Sequence, residues 1–262
     1  MSDELKGVGS IIKLLSIMDC FSFEEAELGV MELSKTLKMP KATVSRMVNA
    51  LERKGYLEQN SVTKKYRLGL KLFYLGSMVL KHMEIRDKAL PIMEGIMGKT
   101  GESMYLNIIK DDERMCLLYV SGKHDLQAMV YVGQRSPLYA GASAKVLLAF
   151  LDDAEIDRMI TKKGLAKITP ATISDPEQLK KELVKIREQG YSYSAGERVQ
   201  GVISVSAPVR NHTEKVICSL SMSIPEVRAD WEKINHSIEL VLEGAKKLSF
   251  ELGWDSRLWS SQ

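Results

Sequence analysis

The feature that most constrains this chain is a succession of helix, break, helix, glycine and hairpin between Val30 and Leu68. Val30, Leu33 and Leu37 share one face of a short helix over 30–37. Lys38-Met39-Pro40 breaks it, because proline steers the residue before it away from helix yet suits a helix's first turn. A second helix over 41–54 turns Val44, Met47, Val48 and Leu51 inward and leaves Thr43, Arg46, Asn49, Ala50 and Arg53 outside. Gly55 ends it as a left-handed cap. Residues 56–59 and 65–68 then read as two strands around the turn Asn60-Ser61-Val62-Thr63-Lys64. With a first helix over 8–20, built on Ile11, Leu14, Leu15 and Met18, the pattern is a winged helix-turn-helix.

Charge agrees with that reading. Residues 33–71 hold ten basic side chains against Glu52 and Glu58, a net +8 that leaves the rest of a +3 chain at −5. A basic block on an otherwise acidic chain points to a polyanion, and the pattern inside it specifies double-stranded operator DNA. Arg46 and Asn49 are placed to reach base edges in the major groove, and Arg53 shares their side of the helix. Lys41, Thr43, Ser45 and the wing residues Lys64 and Lys65 are placed to hold phosphates. The plain alternative is a small helical bundle with a chance basic face.

At 262 residues, 45% hydrophobic and 27% charged, the chain suits one large or two smaller globular domains. No apolar run is long enough to span a membrane, so no membrane partner is expected. The first residues lack the basic and apolar regions of a secretory signal, and Cys20, Cys116 and Cys218 form neither a disulfide framework nor a zinc pair. A cytoplasmic location is the expectation.

Leu72, Phe73, Leu75, Met78, Val79, Met83 and Ile85 make a connector over 70–88 apolar enough for a helix with more than one buried face, and Leu90-Pro91 then opens another helix. So much apolar surface on a connector suggests packing against a second subunit. From residue 102 the chain alternates. Strands are expected at 102–109, 115–121, 128–132, 191–194, 202–209 and 215–223, and helices at 142–151, 154–161, 176–189 and 228–252. Ser174-Asp175-Pro176-Glu177 reads as a capping box for the third of these helices. Neighbours joined by short turns favour an antiparallel sheet with helices on it, an α+β fold.

Two features there could hold a ligand. Small residues, Ala140-Gly141-Ala142-Ser143, lead directly into an apolar helix, where free backbone N–H groups can meet an anion, although tight helix packing uses the same residues. Strand alternation also puts Ser219, Ser221 and Ser223 on one face, with Ser204 and Ser206 on the preceding strand. That face is either a solvent-exposed surface or the hydroxyl-rich wall of a pocket.

Both halves resemble one family. Residues 37–48 with Leu51, Gly55-Tyr56-Leu57 and Tyr66-Arg67-Leu68-Gly69 look like the DNA-binding domain of the IclR family of bacterial transcriptional regulators. Residues 135–150, 190–198, 201–209 and 219–223 look like its GAF-like effector-binding domain. The resemblance implies three parts: residues 1–69 as winged helix-turn-helix, 70–90 as linker helix and 91–262 as effector-binding domain. It also implies a homodimer, pairing further into a dimer of dimers, and a small-molecule effector, an organic or sugar acid. Carried over, the effector lies near Ala142, Ser143, Ser194, Ser204, Ser221 and Ser223, with apolar walls from Leu126, Ala128 and Val202. Repression released by the ligand is the expected sign, with activation as the alternative. Ser34 departs from the family's usual alanine in the helix-turn-helix core, and Ala42 from its usual serine.

The competing class is a serine hydrolase. Ser143 and Lys145 are two apart rather than three, no G-x-S-x-G elbow occurs, and His82, His124, His212 and His236 stand singly. No catalytic residue, cofactor or metal is expected, although His124 with Asp125 is where a metal would be sought first.

Overall fold

The computed structural model describes residues 9–81, 83–128 and 130–254. The ends of the expected 1–69 and 91–262 segments, and position 129 of the expected strand over 128–132, lie outside the described residues. The chain divides into two compact units, residues 1–83 and 84–262.

In the first unit, α1 (Gly9–Met18), α2 (Val30–Leu37) and α3 (Lys41–Arg53) precede a hairpin of β1 (Leu57–Gln59) and β2 (Tyr66–Leu68). Ile17, Leu28, Leu33, Val44, Val48, Leu51, Leu57 and Tyr66 pack as one buried cluster, so the core is built from the stripes that the periodicity marks. The hairpin pairs Leu57 with Leu68 and Gln59 with Tyr66. Gly55 has φ +76° and lets the chain turn directly from α3 into β1. Gly69 is buried against the Gly55 backbone, where a Cβ would overlap the Gly55 carbonyl. The departure at Ser34 is accommodated: its hydroxyl donates to the Met39 carbonyl at 2.6 Å, tying the turn to α2.

The connector is shorter than the sequence suggests. Helix α4 (Leu70–Lys81) ends before residue 83, and α5 (Glu84–Thr100) runs straight through Pro91. Proline removes one helical hydrogen bond, but burial of Ala89, Ile92, Met93 and Ile96 carries the helix past it. On the single chain, Leu70, Phe73, Tyr74, Leu75, Met78 and Val79 of α4 are all exposed, the apolar surface expected to pack against a second subunit.

The second unit is a six-stranded sheet in the order β5-β4-β3-β8-β7-β6, with every named neighbouring pair antiparallel. Its strands are β3 (Ser103–Lys110), β4 (Glu113–Val120), β5 (Arg135–Ser136), β6 (Ser192–Ala195), β7 (Val202–Arg210) and β8 (Val216–Pro225). The strand expected at 128–132 is not formed; its described residues are irregular, and the edge strand comes later, after a turn at Gly133 with φ +86°. Helices α6 (Ala142–Ala149), α7 (Asp153–Lys163), α8 (Pro176–Gln189) and α9 (Trp231–Glu251) complete the unit. Asp175 rather than Ser174 caps α8, accepting from Gln178 N–H at 2.7 Å, with Pro176 at the first helical position.

Helices α5 and α9 cover the apolar face of the sheet. Gly244 permits the approach, since a Cβ there would lie 2.6 Å from Ile96 Cδ1 and 3.0 Å from Leu220 Cδ2. Helix α6 covers the opposite face, where Ser219 Oγ meets the Ser143 carbonyl at 3.4 Å. Leu147, Leu148, Leu179, Leu183 and Ile186 join α6 to α8 in a separate apolar cluster. The serine face is therefore interior, and the solvent-exposed alternative does not hold: Ser192, Ser206, Ser219 and Ser221 are all buried. The whole is α+β, a winged helix-turn-helix followed by a helix-covered antiparallel sheet.

Candidate functional site

On α3, Val44, Val48 and Leu51 face inward, so Arg46, Asn49 and Arg53 project outward as a row. Lys41 is exposed at the helix start, while Thr43 and Ser45 lie half-buried on its flanks. Asn49 Oδ1 accepts from the Tyr66 hydroxyl at 3.4 Å, which sets its amide against the hairpin. In the wing, Lys64 is exposed at φ +57°. Lys65 is engaged: its Nζ lies 2.8 Å from Glu32, whose other oxygen accepts the Gly29 N–H at 2.6 Å at the start of α2. To hold a phosphate, Lys65 has to leave Glu32.

The second site is an open cleft beside the start of α6. Two of its rows follow from strand register. Ser194, Ser204 and Ser223 sit side by side across β6, β7 and β8. Ser206, Ser221 and Tyr105 continue the adjacent row into β3. The hydroxyls are linked, with Ser204 and Ser223 at 3.1 Å and Ser206 and Ser221 at 2.7 Å. At the mouth of α6, Gly141 adopts φ +90° and presents Ala142 and Ser143 to the cleft. The first N–H groups of a helix have no partner within it, and Gly141 N–H is taken by Glu197 at 3.1 Å.

Glu197 anchors this corner. Its other oxygen lies 2.6 Å from Lys145 Nζ, which also reaches Glu182 at 2.9 Å. Thr169 and Thr172 bond the Glu197 carbonyl at 3.1 and 2.7 Å and hold the loop after β6 in place. Lys145 is thus a buried structural cation, not a partner for Ser143.

The residues picked out in the sequence divide here. Ala142, Ser143, Ser194, Ser204, Ser221, Ser223 and Val202 line the cleft together. Leu126 and Ala128 do not. Their segment is a loop rather than a strand, so Leu126 is exposed, and the Ala128 carbonyl is occupied by the Tyr105 hydroxyl. Val130 and Val199 supply the apolar wall instead.

Sequence reasoning missed the charged groups. Arg114, 2% exposed on β4, lines the cleft with Asn107, Tyr105 and Arg198. Its Nε donates to Ser136 at 2.8 Å and its Nη1 to Asn107 at 2.7 Å, but its Nη2 is buried without a partner. Asn107 passes the network on to Ser221 at 3.2 Å. Burial, and then the like charge of Arg198, bring the Arg114 guanidinium down to about 10; burial lowers Arg198 as well. Neither arginine has a carboxylate partner among the described residues. No local pattern announces them, because β4 and the loop after β6 meet only in the folded sheet.

Comparison with known proteins agrees with both halves. The model of the IclR helix-turn-helix domain matches residues 10–61, and that of the bacterial transcriptional regulator IclR C-terminal domain matches residues 77–250. The HTH-type transcriptional regulator XynR of Escherichia coli (strain K12) is 33% identical over 247 residues, 94% of this chain and 98% of that protein. The HTH-type transcriptional repressor AllR of Salmonella typhi is 27% identical over 248 residues, 95% of this chain and 91% of that protein. The crystal structure of an IclR homolog from Microbacterium hydrocarbonoxydans, complexed with 4-hydroxybenzoate, superposes with a TM-score of 0.79 at 25% identity, covering 93% of this chain and 98% of that one. Two domain models matched in chain order and a full-length relative above 30% identity lead to one conclusion: this chain belongs to the IclR family of bacterial transcriptional regulators.

Proposed function

We propose that this chain is a cytoplasmic repressor that binds a two-fold operator as a homodimer and is released when a small organic or sugar acid enters the cleft. The observation that carries the ligand class is Arg114, whose Nη2 is buried and unpartnered in a cleft walled by serine hydroxyls. Buried polar groups need partners, and a guanidinium beside hydroxyls is matched by a hydroxylated carboxylate. The 4-hydroxybenzoate bound by the Microbacterium homologue is of that kind, and the name of AllR favours repression. No catalytic role is assigned, since Lys145 and Glu197 are committed to each other.

The exposed apolar side of α4 fits a second copy of the chain, and such dimers could pair further into a tetramer. Two reading helices must sit about one turn of DNA apart, or a multiple of it, to bind together. A ligand that favours a different spacing lowers operator affinity by its own difference in affinity for the two states. The test is a mobility shift on the DNA upstream of the gene, with and without small carboxylic and sugar acids. Release by one acid is expected; no binding at low salt would end the DNA reading. Arg46→Ala should cost about 1–3 kcal/mol of specific binding and relax preference at one base pair, measured by competition with mutated operators.

A further inference from the structure

We infer that the effector is a dianion, a hydroxylated dicarboxylate, with its second acidic group held between Arg114 and Arg198. The inference rests on the reading of the cleft as an effector site and specifies its ligand by charge.

Two cations line the cleft beside one carboxylate, Glu197. Arg114 and Arg198 both line it, and no carboxylate among the described residues pairs with either. Its acidic residue, Glu197, is consumed by Lys145 and by the Gly141 N–H. Arg114 is buried and Arg198 half-buried; like charges so placed are costly unless compensated, and a single carboxylate leaves one of them without a counter-charge. A dianion neutralises both.

The layout offers two seats. Ala142 and Ser143, with Ser221 and Ser223, form one at the start of α6, where unpaired N–H groups and the helix dipole favour an anion. The unpartnered Arg114 Nη2 and the Arg198 guanidinium form the other. From Arg114 on β4 to Ser221 on β8 the floor crosses two strand spacings, roughly 10 Å of backbone. The hydroxyls between them are suited to a polyol chain joining two acids.

The test uses calorimetry on the full chain with four matched pairs that differ by one carboxylate: tartronate and glycerate, meso-tartrate and erythronate, xylarate and xylonate, glucarate and gluconate. At least one diacid should bind tighter than its partner by about tenfold or more, as charge-assisted hydrogen bonds predict. Arg198→Gln should bring that ratio toward one by weakening the diacid far more than the monoacid, and Arg198→Lys should keep part of it. Arg114→Gln should act in the same direction, with circular dichroism confirming its fold. If monoacids bind as tightly as diacids, or the ratio survives loss of both arginines, the dianion is wrong and the effector site stands. If none of the eight acids binds, both fall.

Discussion

Lys145→Met is expected to destabilise the second unit by about 3–5 kcal/mol, because it leaves the Glu197 carboxylate buried with only a backbone N–H for company. Lys145 is 1% exposed and lies 2.6 Å from Glu197, so the pair is shielded from the solvent that weakens most ion pairs. Urea unfolding followed by circular dichroism should show a lower midpoint for the transition of that unit. Replacing both partners with apolar residues removes the stranded charge. Lys145→Met with Glu197→Leu should therefore recover a good part of the loss, and a double mutant no better than the single one would show that Glu182 or the Thr169–Thr172 loop carries the corner instead. The same variants should lose ligand response, since Glu197 fixes Gly141 at the start of α6.

Operator binding should fall steeply with salt. Lys41, Arg53 and Lys64 are exposed, and on the proposed dimer they would supply about six cationic phosphate contacts and release the matching counterions. The slope of log affinity against log salt is expected near −5, or roughly a thousandfold between 50 and 200 mM. Lys65 sharpens the experiment. If it stays on Glu32, Lys65→Met leaves the slope unchanged; if it moves to phosphate, the substitution makes the slope shallower by about 2 for the dimer. A wild-type slope near −1 would mean that the basic block does not touch the backbone of DNA.

The DNA-reading half was largely legible because it is local. Val44, Met47, Val48 and Leu51 mark the inner side of α3 by spacing alone, and Pro40 and Gly55 mark its ends. The serine rows were legible too, since alternation within β7 and β8 is a property of each strand. What could not be read was whatever depends on which strands meet. Arg114 looks like an ordinary surface arginine on a strand until β3, β4 and the loop carrying Arg198 are assembled around it. Pro91 misled for a different reason: its local preference for a helix start was overridden by the burial of Ile92, Met93 and Ile96. The placement of Leu126 and Ala128 came from the family resemblance, and the loop they lie in leaves Leu126 exposed.

Helix α4 has a consequence for gene dosage. A lone chain leaves Phe73, Tyr74, Met78 and Val79 in water, and on the proposed dimer the species that reads DNA is assembled from two chains. While chains are scarce, the amount of that species follows the square of their concentration, and halving synthesis lowers it about fourfold. The operator then responds to its regulator as a threshold rather than in proportion, and a small change in expression can open the gene with no effector present.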